Sequence, residues 1–170
     1  MLSNKNLPNI ITVVRMAGTV ALLFIEPLSP LFIVVYTIAG VSDALDGFIA
    51  RKFGTASAAG ARLDSIADLM FYTISLARIM PALWRNLPHT IWYAVGALLV
   101  VRGLAYLVDA VKNHRFASMH TYLNKATGLL VFGVVYFINT KAAVPYCWTV
   151  CAVGMIASLQ ELYLHLKTKE

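Results

Sequence analysis

Four aspartates stand close together in a chain that otherwise carries little charge: Asp43, Asp46, Asp64 and Asp68. They make up half of the eight acidic residues. Asp43 and Asp46 are spaced i,i+3 and Asp64 and Asp68 are spaced i,i+4, so each pair shares one face of a helix. Carboxylates arranged in this way could bind hard divalent cations, which prefer oxygen ligands.

The composition indicates the environment of these aspartates. The chain has 170 residues, of which 59% are hydrophobic and 13% charged, and its mean hydropathy is +0.72. Soluble domains carry about 25% charged residues, so we predict an integral membrane protein. The net charge of +6 then reflects basic loops beside anionic lipid headgroups. No nucleic-acid partner is expected, because no basic run has the interleaved aromatic residues of single-strand binders.

Apolar segments of about 20 residues are long enough to cross a bilayer as helices. Prolines lie at most of the segment ends, whereas Pro81 would stop or kink the third segment near its end. We therefore predict an all-α membrane protein with a single domain over residues 1–170. Its six transmembrane helices are expected at 9–27, 30–50, 59–83, 88–111, 121–139 and 144–165.

Basic residues predict the orientation of the six spans. Six crossings place both termini, the link between the second and third helices and the link between the fourth and fifth on one side. That side collects Lys5, Arg51, Lys52, Arg62, Lys112, Arg115, Lys167 and Lys169, against Arg85 and Lys141 on the other. Both termini and the four aspartates are therefore expected at the cytoplasmic face of the cell membrane.

The aspartates need positive charge beside them. Left unpaired at depth in the membrane they would cost on the order of 10 kcal/mol together. Arg51 and Arg62 are too few, so we predict two Mg²⁺ or Mn²⁺ ions about 3.5–4 Å apart, the usual clamp for displacement at phosphorus. The alternative is that the aspartates are only helix caps and surface residues.

Other charged side chains also fall within the predicted helices. Arg15, Arg78, Arg102 and Asp109 lie towards helix interiors, where each costs about 2.5–3.5 kcal/mol. We expect them to extend towards the interface or to pair with one another inside the bundle.

The segment DALDGFIARKFGTASAAGARLDSIAD has the form D-x2-D-G-x2-A-R-x8-G-x3-D-x3-D. This pattern resembles the signature of the CDP-alcohol phosphotransferases at every specified position. NLPNIITVVR, residues 6 to 15, is similar to the amphipathic entry segment of bacterial members. The resemblance implies six helices around a cytoplasm-facing polar cavity, a membrane-bound homodimer, and transfer of a phosphatidyl group from CDP-diacylglycerol to an alcohol with release of CMP.

The resemblance also implies roles for individual residues. Asp43, Asp46, Asp64 and Asp68 would hold two divalent ions, and Asp68 would also act as the general base on the acceptor hydroxyl. The CDP-lipid site would be formed by Asp43 together with Gly47, Ala50, Arg51 and Gly60. Small residues in that set would admit the cytidine, and Arg51 would bind the diphosphate.

The acceptor alcohol is less clearly indicated. The entry segment resembles that of phosphatidylglycerophosphate synthases, but LDSIADL carries Ser65 and Leu69 where those enzymes typically have proline and lysine. Serine at that position is more similar to phosphatidylserine synthases. A basic group near helix five could bind an acceptor phosphate, so glycerol 3-phosphate is favoured and serine is the second choice. That group is Lys125, His120 and Arg115.

Two other classes of protein remain as alternatives. A small divalent-cation transporter could use the aspartates as a permeation site, although the acids cluster at one membrane face. A non-catalytic relative is the other alternative, although its metal-binding motif would not be expected to stay intact.

Overall fold

The computed structural model describes residues 7–53, 58–113 and 121–167, except the side chains of 7–9, 44–53, 58, 59, 61, 112 and 113. It contains six α-helices, in agreement with the prediction: α1 (Leu7–Ala21), α2 (Pro30–Phe53), α3 (Ala58–Asn86), α4 (His89–Asn113), α5 (Tyr122–Phe137) and α6 (Ala143–Lys167). The chain forms two compact units, Met1–Ala82 and Leu83–Glu170, and the boundary between them falls near the end of α3.

Polar caps and prolines determine where α2 and α5 begin. The Ser29 hydroxyl accepts the backbone N–H of Phe32 at 3.2 Å, and Pro30 follows as the first helical residue, where its missing N–H costs nothing. The Thr121 side chain accepts the backbone N–H of Asn124 in the same way before α5. Both starts lie within one residue of the predicted segments.

Most predicted boundaries lie within three residues of the observed ones, and the ends of the first and third helices are the instructive differences. The first helix ends at Ala21 rather than at residue 27, because the chain tightens into turns, and Leu28 takes a positive φ of 62° before α2. The third helix does not end at Pro81 but continues to Asn86. In a membrane helix, neighbouring groups can compensate for the hydrogen bond that a proline removes.

Three of the six helices are long and apolar enough to cross a bilayer, over Arg62–Asn86, His89–Val111 and Ala143–Lys167. Shorter apolar stretches occupy Ile10–Ala21, Pro30–Asp43 and Tyr122–Phe137 within the described residues. At 1.5 Å per residue, the 16 residues of α5 extend about 24 Å, less than the roughly 30 Å of the hydrocarbon core. The chain is a helical membrane protein, and in the part that the structure describes three helices are both long and apolar enough for a span.

Aromatic stacking and one arginine hold the first unit together. Tyr36 of α2 stacks on Phe71 of α3 with ring centroids 5.1 Å apart. Arg78 of α3 donates hydrogen bonds to the carbonyls of Leu22, at 3.1 Å, and Ile25, at 2.5 Å. These carbonyls follow the end of α1, where backbone acceptors lack helical partners. Arg78 therefore stabilises the end of α1 and does not pair with another charged side chain in these contacts.

The second unit is built around α6, which packs against both α4 and α5. The buried face of α6 is lined mainly by small residues: Cys147, Cys151, Gly154, Ala157 and Ser158. A side chain at Gly154 would meet Leu98 of α4 at 2.7 Å, so glycine permits the close approach of these two helices. Near its C-terminal end the same face carries Glu161 and His165, which are also buried.

Candidate metal centre

The stacked aromatic pair explains why aspartates on two helices meet. Asp43 lies seven residues after Tyr36 on α2, and Asp64 lies seven residues before Phe71 on α3. Seven residues are about two helical turns, so each aspartate shares a face with its aromatic residue. A short link joins the two helices. Because Asp43 and Asp64 lie at the same two-turn offset from the stacked rings, on the side of this link, they come together.

Small buried residues between the rings and the aspartates allow this approach. Ala39 of α2 and Ala67 of α3 are both buried, and each lies within one turn of a predicted ligand, Asp43 or Asp68. Small side chains at helix interfaces in membranes let two backbones come close. Ala39 and Ala67 therefore leave room for the two helices to approach each other near the carboxylates.

Three of the four predicted metal ligands converge in the structure. Asp43, Asp64 and Asp68, the carboxylate cluster, each offer an oxygen atom, and these atoms all lie within 4.8 Å of one another. Their side chains are 45%, 42% and 42% exposed, respectively. Three carboxylate oxygens at this separation suit a hard divalent cation such as Mg²⁺ or Mn²⁺.

Several predicted site residues lie outside the described part of the chain. Asp46, Gly47, Ala50 and Arg51 belong to α2, but their side chains are not described, and His120 and Arg115 fall outside the described residues altogether. Gly60 is described: it lies in α3 one turn before Asp64 and is partly buried.

Arg15 of α1 is the residue that sequence reasoning missed at this site. Its Nη1 bonds Asp43 Oδ1 and lies 3.1 Å from Asp68 Oδ1, while its Nη2 lies 2.5 Å from Asp64 Oδ1. The side chain of Arg15 is only 1% exposed. One buried guanidinium therefore contacts all three members of the carboxylate cluster.

A signal for this placement exists in the sequence of α1. Thr12, Arg15 and Thr19 follow one another at spacings of three and four residues and are buried, as is Leu22 directly after the helix. This periodicity identifies one helical face directed into the protein. The predicted amphipathic segment therefore places its polar stripe inward, while Val13 and Val14 on the other side are exposed.

Charge at the cluster is not balanced by Arg15 alone. Two like charges 4 Å apart repel by about 4 kcal/mol at the effective dielectric near a protein surface. One guanidinium carries a single positive charge, so it cannot by itself neutralise three ionised carboxylates. The partial exposure of the aspartates allows water or a cation to reach them, so the cluster is chemically suited to bind a divalent ion.

The second unit holds a different set of polar groups, the buried polar cluster, in which Asp109, Glu161 and His165 are buried and Arg102 and Asn124 are partly exposed. Asn124 donates to Glu161 Oε2 at 3.2 Å, and Arg102 Nη2 lies 3.8 Å from the same oxygen. His165 Nδ1 lies 3.0 Å from Asp109 Oδ1. In these contacts Arg102 and Asp109 do not pair with one another or with Arg15 or Arg78, as the sequence suggested they could; their neighbours are Glu161 and His165 instead.

Lys125 is the one member of the predicted acceptor group whose side chain is described. It is exposed on α5, and its ammonium nitrogen lies 5.9 Å from the centre of the Tyr122 ring. Its neighbour Asn124 belongs to the buried polar cluster. Lys125 is thus available to a ligand at the surface of the second unit.

Comparison with known protein families decides the class of the chain. A family model described as CDP-alcohol phosphatidyltransferase matches residues 5–160. The chain belongs to this family. The match covers the carboxylate cluster, Arg15 and most of all six helices, and it confirms the predicted family and enzyme class and decides against the transporter alternative.

Curated relatives of this CDP-alcohol phosphatidyltransferase carry two names. A CDP-diacylglycerol–glycerol-3-phosphate 3-phosphatidyltransferase of Pseudomonas fluorescens is 26% identical, over 96% of this chain and 93% of its own length. A cardiolipin synthase (CMP-forming) of Streptomyces coelicolor is 29% identical, over 92% of this chain and 71% of its own. A second CDP-diacylglycerol–glycerol-3-phosphate 3-phosphatidyltransferase, of Cereibacter sphaeroides, is 38% identical over 45% of this chain and 37% of its own. No solved structure gives a significant match.

Proposed function

We propose that this transferase moves a phosphatidyl group from CDP-diacylglycerol to glycerol 3-phosphate and releases CMP. The observation that carries the proposal is the convergence of three motif carboxylates within 4.8 Å at one site. The name of the relative that matches along nearly the whole chain supports glycerol 3-phosphate as the acceptor. The name of the Streptomyces coelicolor relative makes phosphatidylglycerol a second candidate acceptor.

The carboxylate cluster, together with Asp46, would hold two Mg²⁺ or Mn²⁺ ions. The donor set fits this role, since it consists of carboxylate oxygens close enough to share a cation. When bound, such ions neutralise negative charge on the diphosphate and on the departing CMP. The protein contributes the positions of the aspartates, which the packing of α2 on α3 holds together.

Asp68 would act as the general base. Its carboxylate accepts the proton of the acceptor hydroxyl while the oxygen of that hydroxyl forms a bond to the lipid-side phosphorus. The bond between this phosphorus and the oxygen bridging to CMP breaks, and CMP leaves with the bonding electron pair. The partial exposure of Asp68 favours this role, because a soluble acceptor can reach it.

Substrate contacts follow the motif. Gly47, Ala50 and Gly60 would leave room for the cytidine, and Arg51 would bind the diphosphate. Lys125, with His120 and Arg115, would bind the phosphate of the acceptor; the exposed ammonium group of Lys125 suits an anionic ligand. These assignments rest on residue chemistry and the motif.

We also propose an orientation in the membrane, a domain organisation and an oligomeric state for the enzyme. We place both termini and the active site at the cytoplasmic face of the cell membrane, on the distribution of basic residues. We propose one domain over residues 1–170 and a homodimer in the membrane. The extent of the family match supports the single domain.

The test is a reaction with purified protein in detergent micelles, CDP-diacylglycerol, Mn²⁺ and a panel of acceptors. Glycerol 3-phosphate should give CMP and phosphatidylglycerophosphate in equal amounts, whereas serine and phosphatidylglycerol should give little product. Asp64→Asn should remove activity. The matched control Glu26→Gln changes an exposed acid in the same unit and should leave activity intact. If CMP were released with phosphatidylglycerol or with serine but not with glycerol 3-phosphate, that alcohol would replace glycerol 3-phosphate as the proposed acceptor.

A further inference from the structure

Arg15 contacts the same three carboxylates that are suited to a metal ion. It donates to one oxygen each of Asp43, Asp64 and Asp68, and it lies 3.5 Å from the backbone carbonyl of Asp64. The guanidinium is buried whereas the carboxylates are about half exposed. A divalent cation can therefore approach the cluster from the exposed side, but Arg15 already occupies it from the protein side.

A metal ion and the guanidinium cannot share these oxygens without mutual repulsion. Carboxylate oxygens bind Mg²⁺ at about 2.1 Å, and the Arg15 nitrogens lie up to 3.1 Å from the oxygens that they contact. A cation bound to those oxygens would therefore lie at most about 5 Å from a guanidinium nitrogen. Two positive charges at that separation repel each other, and this repulsion favours loss of the hydrogen bonds from Arg15 to the carboxylates.

We propose that Arg15 is a positioning residue that serves as an internal counter-cation. It holds the carboxylate cluster together before the metal binds, and it gives up those bonds to the divalent cation. This inference rests on the proposed metal role of the cluster. It implies that Arg15 stabilises the metal-free protein more than the metal-loaded protein, and it thereby weakens the apparent affinity for metal.

Thermodynamic linkage gives the expected sign. If substitution of Arg15 destabilises the metal-free state and leaves the metal-bound state nearly unchanged, the affinity for metal must rise by the same factor. Arg15→Gln should bind Mn²⁺ about tenfold more tightly than the wild type. Arg15→Lys keeps the positive charge but has fewer hydrogen-bond donors, so its affinity for Mn²⁺ should lie within about threefold of the wild-type value.

The experiment measures binding and stability of the full chain in detergent. Mn²⁺ alone is titrated by calorimetry, and thermal unfolding is recorded with and without saturating Mn²⁺. For Arg15→Gln, the deficit in Tm should shrink by at least half when Mn²⁺ is present. Arg78→Gln is the matched control: Arg78 bonds backbone carbonyls in the same unit, so its deficit in Tm should be equal in both conditions.

The outcomes separate this inference from the proposed function. A wild type that binds no Mn²⁺ overturns the proposed metal centre. A wild type that binds Mn²⁺, together with an Arg15→Gln variant of equal or weaker affinity, overturns only the role of Arg15. Two further results would count against the role of Arg15. One is an Arg15→Gln variant that does not fold even with Mn²⁺, and the other is a deficit in the Tm of Arg15→Lys that Mn²⁺ does not reduce. In either case Arg15 would be needed in both the metal-free and the metal-bound protein.

Discussion

The carboxylate cluster and the buried polar cluster both place acids beside an arginine, but they differ in charge balance and burial. The first has three carboxylates, each more than 40% exposed, around one buried guanidinium. The second has Glu161 and Asp109 at 0% and 5% exposure, with Arg102, Asn124 and His165 as partners. An exposed excess of negative charge can accept a cation from solution, whereas a buried set of partnered polar groups is costly to disrupt, because removal of one member leaves the others without a partner.

This difference predicts opposite responses to substitution. Loss of an acid from the carboxylate cluster should impair catalysis or metal binding and leave folding almost unaffected. Loss of an acid from the buried polar cluster should destabilise the second unit, and metal should not restore it.

The largest effect is expected for Asp68→Asn. Asparagine cannot accept the proton of the acceptor, and general bases contribute roughly 10²- to 10⁴-fold to rate, so kcat should fall by about three orders of magnitude. Binding of the CDP-lipid should stay close to the wild-type value. CMP release and equilibrium binding of CDP-diacylglycerol measure the two quantities, with Glu26→Gln as the control. Near-normal CMP release from Asp68→Asn would remove Asp68 from the role of general base.

Glu161→Ala should produce the largest loss of stability. It removes a buried acceptor that Arg102 and Asn124 now contact, and loss of such a partner costs about 1–3 kcal/mol. Thermal unfolding should show the same loss with and without Mn²⁺. Gln160→Ala, an exposed neighbour on α6, is the control. Restoration of Glu161→Ala by Mn²⁺ would contradict the assignment of this cluster to structure.

Asp43→Asn is expected to have an intermediate effect. Removal of one charged oxygen ligand should weaken Mn²⁺ binding by about tenfold or more, because affinity depends on the number of charged ligands. The rate should recover partly at high Mn²⁺, and Tm should change little because Asp43 is half exposed. Titration of activity against Mn²⁺ tests this, and a rate that does not depend on the Mn²⁺ concentration would be evidence against Asp43 as a ligand.

The smallest effect is expected for Lys125→Met. An exposed ion pair contributes about 1 kcal/mol at most, so KM for glycerol 3-phosphate should rise up to about fivefold while KM for CDP-diacylglycerol stays unchanged. Lys141→Met removes another exposed lysine of the same unit and is the control. Equal KM values for Lys125→Met and the wild type would exclude Lys125 from the acceptor site.

Features set by local chemistry were predictable from the sequence. Ser29 with Pro30, and Thr121 before α5, are capping signals that depend on neighbouring residues only, and the helix starts agree with them. The meeting of Asp43 with Asp64 and Asp68 also follows from local information, since helical spacing and a short link between α2 and α3 bring them together.

Features set by tertiary packing could not be predicted from the sequence. The partner of Arg15 depends on how α1 packs beside α2 and α3, and a single arginine in an apolar helix does not identify which acids it will contact. The bonds from Arg78 to the carbonyls that follow α1 have the same origin. In each case a distant segment supplies the stabilising group.

The most direct test of the central claim is a structure determined in excess Mn²⁺ with anomalous scattering recorded at the manganese edge. We expect anomalous density between Asp43, Asp64 and Asp68, within bonding distance of an oxygen from each, with the Arg15 guanidinium drawn away from them. Carboxylates that remain bonded to Arg15, with manganese absent from between them while the protein turns over substrate, would contradict it.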